Sequence, residues 1–161
     1  MAASIAPYAA ADRDGVAALI VGIQRREFGI SITYDDQPDL KDVPGFYQNG
    51  AGDFWVARSG GAIVGTIALK DIGNAQVALR KMFVDTAHRG REQGVAQRLL
   101  DTAIAAARAN NVKDIYLGTT AKFLAAHRFY GKNGFAEIAA ETLPQSFPRM
   151  AVDTKFYRLR L

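Results

Sequence analysis

Two arginines and two glycines lie close together in the segment HRGREQGVAQRLL, residues 88–100, which leads into an apolar stripe with helical spacing. The first N–H groups of a helix have no partner within the helix and carry a partial positive charge, so a helix N-terminus binds anions. Gly94 lets an anion approach the backbone closely, and Arg89 and Arg91 add forked donors. The segment therefore predicts a phosphate-binding turn, with an ordinary basic surface turn as the alternative. Its spacing is neither that of G-x-G-x-x-G nor that of a Walker loop.

The residue types of the chain exclude several other kinds of site. The sequence contains no cysteine, which removes disulfides, thiolate nucleophiles and zinc sites built on sulfur. The two histidines, His88 and His127, lie too far apart to form a local metal-ligand pair, and no G-x-S-x-G motif is present. We therefore expect neither a catalytic metal nor an acylated cysteine.

Length and composition predict one domain over residues 1–161. The chain is 49% hydrophobic and 22% charged, which is typical of globular proteins, and its net charge of +4 favours anionic partners. The N-terminal MAASIAPYAA lacks the basic start of a signal peptide, and no stretch approaches the roughly 20 apolar residues of a membrane span. We expect a cytoplasmic protein without a membrane partner.

The hydrophobic pattern of the first half predicts helices followed by a meander. A short strand at residues 4–7 precedes a helix at about 12–28, and a second helix follows at about 39–48. The β-rich runs DFWVARS, AIVGTIALKDI and QVALRKMFV are separated by Gly60-Gly61 and Gly73-Asn74. Because such pairs supply the positive φ of tight turns, the three runs should form antiparallel hairpins.

The second half alternates between helices and strands. The strongest helix begins at Val95 and ends at Asn110. A strand at 114–119, a helix at 123–132, and strands at 135–139 and 155–161 follow. This order is typical of β-α-β units, and the first half of the chain is antiparallel. We therefore expect an α/β (α+β) fold with a mixed sheet and helices on its faces.

Two separate motifs resemble those of the GNAT superfamily of acyl-CoA-dependent N-acetyltransferases. The run 91–96, Arg-Glu-Gln-Gly-Val-Ala, matches the R/Q-x-x-G-x-G/A signature that follows the fourth strand of that family. The run AAHRFYGKNGF, residues 125–135, resembles the later A-x-x-x-Y-x-K-x-G-F ending. Together with the order of elements, the resemblance covers residues 53–139. It implies a mixed, mostly antiparallel sheet flanked by helices on both faces, with a splay between the fourth and fifth strands.

The resemblance also implies acetyl-CoA as the co-substrate. The fourth strand would hold the pantetheine arm through Met82, Phe83 and Val84, and one of its N–H groups would face the developing oxyanion. The diphosphate would lie on the turn and helix start that follow, at Arg89, Arg91, Glu92, Gln93, Gly94, Val95 and Ala96. The turn is two residues longer than the common form, so either Arg89 or Arg91 stands at the position of the diphosphate arginine.

Tyr130 stands where the resemblance implies the general acid that protonates the departing thiolate. The alternative is a packed core aromatic beside Phe129 and Phe135. Where many relatives carry Asn, seven residues before this tyrosine, the chain has Phe123, so a drier site is expected.

The acceptor would be a small-molecule or peptide amine, attacked directly on the thioester without an acyl-enzyme. An amine of pKa about 10.4 needs a base at neutral pH. The resemblance places this family's acceptor side near five acids, which are therefore the candidate bases: Glu27, Asp35, Asp36, Asp39 and Asp42. The alternative is that these acids are helix caps or belong to a solvated loop. The loop at 141–153 is expected to close over the acceptor through Phe147, Arg149 and Asp153. A homodimer is also expected, because dimers are common in the resembling family.

Two other functions compete with acetyl transfer. A non-catalytic module that binds acyl-CoA is left open by Phe123 and by the unidentified base. A nucleic-acid binder ranks last because no stacking aromatics interleave its basic residues. Those residues are Arg80, Lys81, Arg89, Arg91 and Arg98.

Overall fold

A seven-stranded sheet forms the centre of the computed structural model, which describes residues 3–90, 93–121 and 123–161. The strands are β1 (Ser4–Pro7), β2 (Asp53–Ser59), β3 (Ala62–Gly73), β4 (Gln76–Val84), β5 (Asp114–Thr119), β6 (Ala136–Ile138) and β7 (Lys155–Arg160). They lie in the order β1-β2-β3-β4-β5-β7-β6, and within it the neighbours β4 and β5 are parallel while the other adjacent pairs are antiparallel. The predicted mixed, mostly antiparallel sheet is confirmed.

Helices cover both faces of the sheet, as predicted. They are α1 (Arg13–Arg26), α2 (Pro38–Lys41), α3 (Val43–Phe46), α4 (Val95–Ala109) and α5 (Leu124–Lys132). On one face, α4 and α5 bury Leu99, Leu100 and Tyr130 against the sheet. On the other face, α1 to α3 bury a separate cluster that includes Ile20 and Tyr47. In the described ranges, no helix combines the length and the apolar character needed to cross a membrane.

The hairpin turns follow the predicted glycines. Gly60 and Gly61 have φ angles of 58° and 85°, which side chains with a Cβ rarely adopt, and they join β2 to β3. Gly73 and Asn74 also have positive φ at the turn between β3 and β4. The strands β2, β4 and β5 have the predicted bounds, because each is an apolar run ended by turn residues.

The predicted helix over residues 39–48 is wrong, since two short helices replace it. Asp42 interrupts the segment with φ −140° and ψ 64°, and its carboxylate accepts a hydrogen bond from the N–H of Gly45 at 3.1 Å. Pro44 lacks an N–H and cannot continue a preceding helix, but it fits the first turn of a new one. A side-chain cap therefore starts α3 where the hydrophobic spacing predicts a continuous helix.

Other differences lie at the ends of elements. The first helix ends at Arg26, short of the predicted 28, and the strand predicted at 135–139 shortens to β6. β6 pairs with β7, which runs between it and β5. The second β-α-β connection therefore spans an inserted antiparallel strand.

β4 and β5 pair at their first residues and then diverge. Their register runs from Gln76 with Asp114 to Ala78 with Tyr116, while β5 continues along β7 as far as Thr119. The second half of β4 therefore has β3 on one side and, among the described residues, no strand on the other. This is the splay that the resemblance predicts.

Candidate active site

A cleft of about 1110 Å³ occupies the splay between β4 and β5. β4 contributes residues 79–84 to its walls, and β5 with the turn that follows contributes residues 117–121. The end of α1, the start of α5 and the segment 151–154 complete the lining. Clefts of this size hold cofactors and small substrates, and diverging strands leave backbone N–H and C=O groups free for a ligand.

Tyr130 of α5 lies at the wall of this cleft. Its side chain is 9% exposed, and its ring packs on Phe135 and Tyr157 at centroid distances of 5.6 and 6.1 Å. The hydroxyl lies 4.0 Å from the sulfur of Met82 on β4. Burial raises the pKa of Tyr130 to about 12, so the phenol stays protonated at neutral pH. The ring packs in the core and the residue lines the cleft, which agrees with the packed aromatic, while the role of general acid stays a prediction.

The three β4 residues predicted to contact a pantetheine arm line the cleft together. They are Met82, Phe83 and Val84. The strand carries a bulge at Lys81 and Met82. Arg80 pairs with Ala68 and Phe83 with Thr66, so these two residues lie opposite Ile67 alone. Lys81 takes a positive φ of 53° in this bulge, and its carbonyl accepts a hydrogen bond from the Thr66 hydroxyl at 2.7 Å.

Sequence reasoning missed the bulge, although the apolar spacing of β4 contains its signal. Val77, Leu79, Met82 and Val84 all contact the same core, at spacings of two, three and two. An unbroken strand places every second residue on one face. The extra residue is therefore the reason that Lys81 leaves the core side of β4.

The side chain of Lys81 enters a buried polar cluster on the opposite face of the sheet. It is 10% exposed, and its Nζ donates to Gln37 Oε1 at 2.6 Å and lies 3.4 Å from Asp39 Oδ2. The Tyr47 hydroxyl donates to the same carboxylate oxygen at 2.6 Å, and Gln37 exchanges amide hydrogen bonds with Gln24. Burial lowers the pKa of Lys81, and Asp39 opposes that change. Of this cluster, Gln24 and Lys81 reach the cleft.

The predicted phosphate-binding turn lies between β4 and α4. Arg89 lines the cleft, and its Nε donates to the carbonyl of Val84 at 2.8 Å. Gly94 is the N-cap of α4 with φ 66°, a conformation that favours glycine. Gln93 is exposed, Ala96 is half-buried and the Val95 side chain is in the core, so Val95 would contact a ligand through its backbone. Arg91 and Glu92 lie outside the described residues.

Each acid considered as the general base has another partner. Glu27 pairs with Arg89 at 2.6 Å, which holds the pKa of Glu27 below its usual value. Asp35 pairs with Lys41 at 2.9 Å, and Asp36 and Asp42 accept hydrogen bonds from nearby backbone N–H groups. Asp39 belongs to the Lys81 cluster. These acids orient other groups of the chain.

Two aromatic rings and one buried hydroxyl line the wall of the cleft around the start of α5. Phe123 stacks on Phe28 with ring centroids 4.6 Å apart, and both rings line the cleft. The hydroxyl oxygen of Thr120 is buried at this wall and has no hydrogen-bond partner among the described residues. A buried polar atom left unsatisfied costs free energy, so Thr120 fits the contact of a polar ligand group.

Three of the five cations considered for a nucleic-acid surface have partners within the chain, and Arg91 lies outside the described residues. Lys81 and Arg89 pair with Asp39 and Glu27, and Arg98 donates to the carbonyl of Ala3. Arg80 lines the cleft. Among the positions that the structure describes, no group of three or more His, Asp or Glu is arranged to hold a metal ion.

The sequence matches the family model described as acetyltransferase (GNAT) family over residues 19–135. The chain belongs to the acetyltransferase (GNAT) family. A GNAT-family acetyltransferase from Staphylococcus aureus superimposes with a TM-score of 0.92 at 41% identity, covering 99% of both chains. An acetyltransferase from Streptococcus agalactiae gives a TM-score of 0.93 at 28% identity, over 100% of this chain and 99% of that one.

Curated proteins similar to this chain include two from vertebrates. N-acetylaspartate synthetase of Danio rerio is 35% identical over 127 residues, which are 76% of this chain and 44% of that protein. N-acetyltransferase 8F1 of Mus musculus is 36% identical over 121 residues, which are 71% of this chain and 53% of that protein. The chain thus spans about half the length of the curated relatives it matches.

Proposed function

We propose that this chain transfers the acetyl group of acetyl-CoA to a primary amine by direct attack. The observation that carries the proposal is the hydroxyl of Tyr130, buried in a cleft that also contains the free edge of β4 and Arg89 of the phosphate turn. An acid, an open strand edge and an anion-binding turn are the groups that such a thioester needs. Membership of the GNAT family supports the same reaction.

The residues of the cleft fit coenzyme A in three places. The free edge of β4 at Met82, Phe83 and Val84 suits a peptide-like pantetheine arm. Arg89 and the N–H groups after Gly94 suit a diphosphate, with Gln93, Val95 and Ala96 beside them. The sequence motif adds Arg91 and Glu92 to this set. The orphaned hydroxyl of Thr120 is a further polar contact.

In the reaction a new N–C bond forms as the C–S bond of the thioester breaks, the amine loses a proton and the thiolate gains one. Acetyl-CoA supplies the activated acetyl group. Tyr130 holds its proton beside the cleft and donates it to the departing sulfur. N–H groups of β4 after the bulge at Lys81 stabilise the oxyanion, a contribution of about 3 to 4 kcal/mol per donor.

The first experiment measures binding and turnover separately. Acetyl-CoA at about 100 times its Kd should raise the free energy of unfolding by about 2.7 kcal/mol, whereas ATP and a short DNA duplex should not. Thiol release is then followed with a panel of amines. Binding without release from any amine would favour the non-catalytic module, and a shift shared by all three anions would reduce the site to a basic surface.

Other properties stay predictions from the sequence. They are the single domain over residues 1–161, the cytoplasmic location, the homodimer, and the absence of a nucleic-acid or membrane partner. The acceptor stays at the level of a small-molecule or peptide amine.

A further inference from the structure

The cleft contains one cation and one acid without a charge partner among the described residues. The charged side chains that line its described part are Arg80, Lys81, Arg89 and Asp153. Lys81 pairs with Asp39, and Arg89 pairs with Glu27. Arg80 and Asp153 take part in no ion pair of 4.0 Å or less with any described residue. The cleft therefore holds an available guanidinium and an available carboxylate.

Arg80 is fixed in place by groups that do not neutralise it. Its guanidinium lies 5.6 Å from the ring centroid of Phe46 and 6.0 Å from that of Tyr47, and Nη2 lies 3.6 Å from the sulfur of Met150. Ring faces orient a guanidinium while leaving its N–H donors free. Such a group binds carboxylates through two parallel hydrogen bonds. Arg80 is therefore positioned as a carboxylate binder.

Asp153 reaches the cleft from the segment before β7. Its Oδ2 accepts a hydrogen bond from the N–H of Met150 at 3.0 Å. A Cβ on Gly118 of β5 would lie 2.6 Å from Oδ2, so the glycine makes room for this carboxylate. Burial raises the pKa of Asp153, and the nearby charges of Arg80 and Arg149 oppose that change. A half-buried carboxylate of this kind suits proton uptake.

Resting on the proposed acetyl transfer, we propose that the acceptor is a small zwitterionic amino acid, whose carboxylate binds Arg80 and whose ammonium group binds Asp153. The ammonium proton passes to a carboxylate oxygen of Asp153, which leaves the nitrogen lone pair free to form the new N–C bond. The thiolate that leaves takes its proton from Tyr130, and the phenolate of Tyr130 takes up the second proton that the nitrogen loses as the amide forms. An amine without a carboxylate would leave the guanidinium of Arg80 without a carboxylate in direct contact, which favours the zwitterion.

The test compares each L-amino acid with its own carboxamide, which removes the negative charge and keeps the amine. Acetyl-CoA binding is first measured by calorimetry without an acceptor. Thiol release is then measured for each pair. We expect at least one amino acid with kcat/KM about 100-fold or more above that of its amide, because a site built to bind a polar group rejects analogues that lack it.

Two variants and a control separate the roles of the two residues. Arg80→Gln should raise KM for the amino acid by about 10-fold to 100-fold and leave KM for the amide unchanged. Asp153→Asn should lower kcat by about 100-fold and remove the acid limb from the pH profile of kcat. Arg108→Gln, in the last turn of α4 and outside the cleft lining, should leave both substrates unaffected.

The negative results of these experiments distinguish failure of the proposed function from failure of the inference about the acceptor. A protein that does not bind acetyl-CoA contradicts the proposed function itself. If acetyl-CoA binds, the inference about the acceptor is overturned by equal turnover of amides and amino acids, by turnover of peptides alone, or by no turnover of any amino acid. Equal effects of Arg80→Gln on amino acid and amide would overturn it as well.

Discussion

Arg89 and Glu27 join the phosphate turn to the end of the first helix. Arg89 Nη1 lies 2.6 Å from Glu27 Oε1, and Nη2 donates to Oε2 at 2.8 Å, so the pair is bidentate. The two residues are 62 positions apart in sequence. Because the end of α1 lines the cleft, this contact connects the proposed diphosphate site with that wall of the cleft.

Arg89→Gln should weaken acetyl-CoA binding by about 10-fold to 100-fold, since a hydrogen bond to a charged group contributes about 1.5 to 3 kcal/mol. Glu27→Gln keeps the guanidinium and removes its partner, so its effect on Kd should be smaller. Calorimetry with acetyl-CoA and with S-acetylpantetheine distinguishes the parts of the ligand. An equal loss for the donor without a diphosphate would contradict the placement of Arg89.

The same ion pair should make the free energy of unfolding depend on pH. Arg89 holds the pKa of Glu27 below its usual 4.5, so the pair stabilises the folded state above that pH. Its contribution is lost as the pH falls from 4.5 through the lowered pKa. Urea unfolding between pH 6 and pH 3 gives the free energy of unfolding of the native protein and of Glu27→Gln. The difference between the two free energies should disappear toward pH 3. A difference that is constant across this range would argue against the pair.

Tyr130→Phe should lower kcat by about 100-fold or more while Kd for acetyl-CoA stays nearly constant. The substitution keeps the ring contacts with Phe135 and Tyr157 and removes the hydroxyl near Met82. Tyr157→Phe is the matched control, because it removes a hydroxyl from a neighbouring ring outside the cleft lining. Equal activity of the two variants would remove Tyr130 from the mechanism.

Much of the fold follows from local patterns that the sequence displays. The glycine turns and β-rich runs of β2 to β4 predict the meander, and the stripe on α4 predicts the strongest helix. The bulge at Lys81 and the break at Asp42 are decided by single residues inside otherwise continuous patterns. Periodicity averages over a window, so it does not place such interruptions.

The sequence motifs predict the cofactor half of the site better than the acceptor half. Gly94 and Tyr130 belong to motifs with fixed spacing, and Arg89 lies two residues before the first of these motifs. Arg80 and Asp153 come from a strand and a distant segment that only the fold brings to one cleft. Glu27 lies where a general base is plausible, but it forms an ion pair with Arg89. Sequence reasoning treats these two residues separately and does not predict their contact.

Lys81→Met should destabilise the protein by about 3 kcal/mol, because it leaves the carboxylate of Asp39 buried without its cation. Adding Asp39→Asn should recover part of that loss, since an amide oxygen still accepts from Tyr47. Lys41→Met is the control. Its exposed pair with Asp35 should contribute little, because solvent screens exposed charges. Urea unfolding measures all four proteins, and equal losses for Lys81→Met and Lys41→Met would show that the buried cluster is not strongly coupled.

Gly94→Asp should weaken acetyl-CoA binding far more than Gly94→Asn. Both residues are good N-caps and Asn tolerates positive φ, so both variants should keep α4, which begins at the next residue. They have nearly the same shape and differ by one negative charge at the proposed diphosphate site. We expect at least a 10-fold difference in Kd between them at low salt, and a smaller difference at high salt because ions screen exposed charges. Circular dichroism checks folding, and calorimetry at two salt concentrations measures binding. Equal affinities in two folded variants would place the diphosphate away from the start of α4.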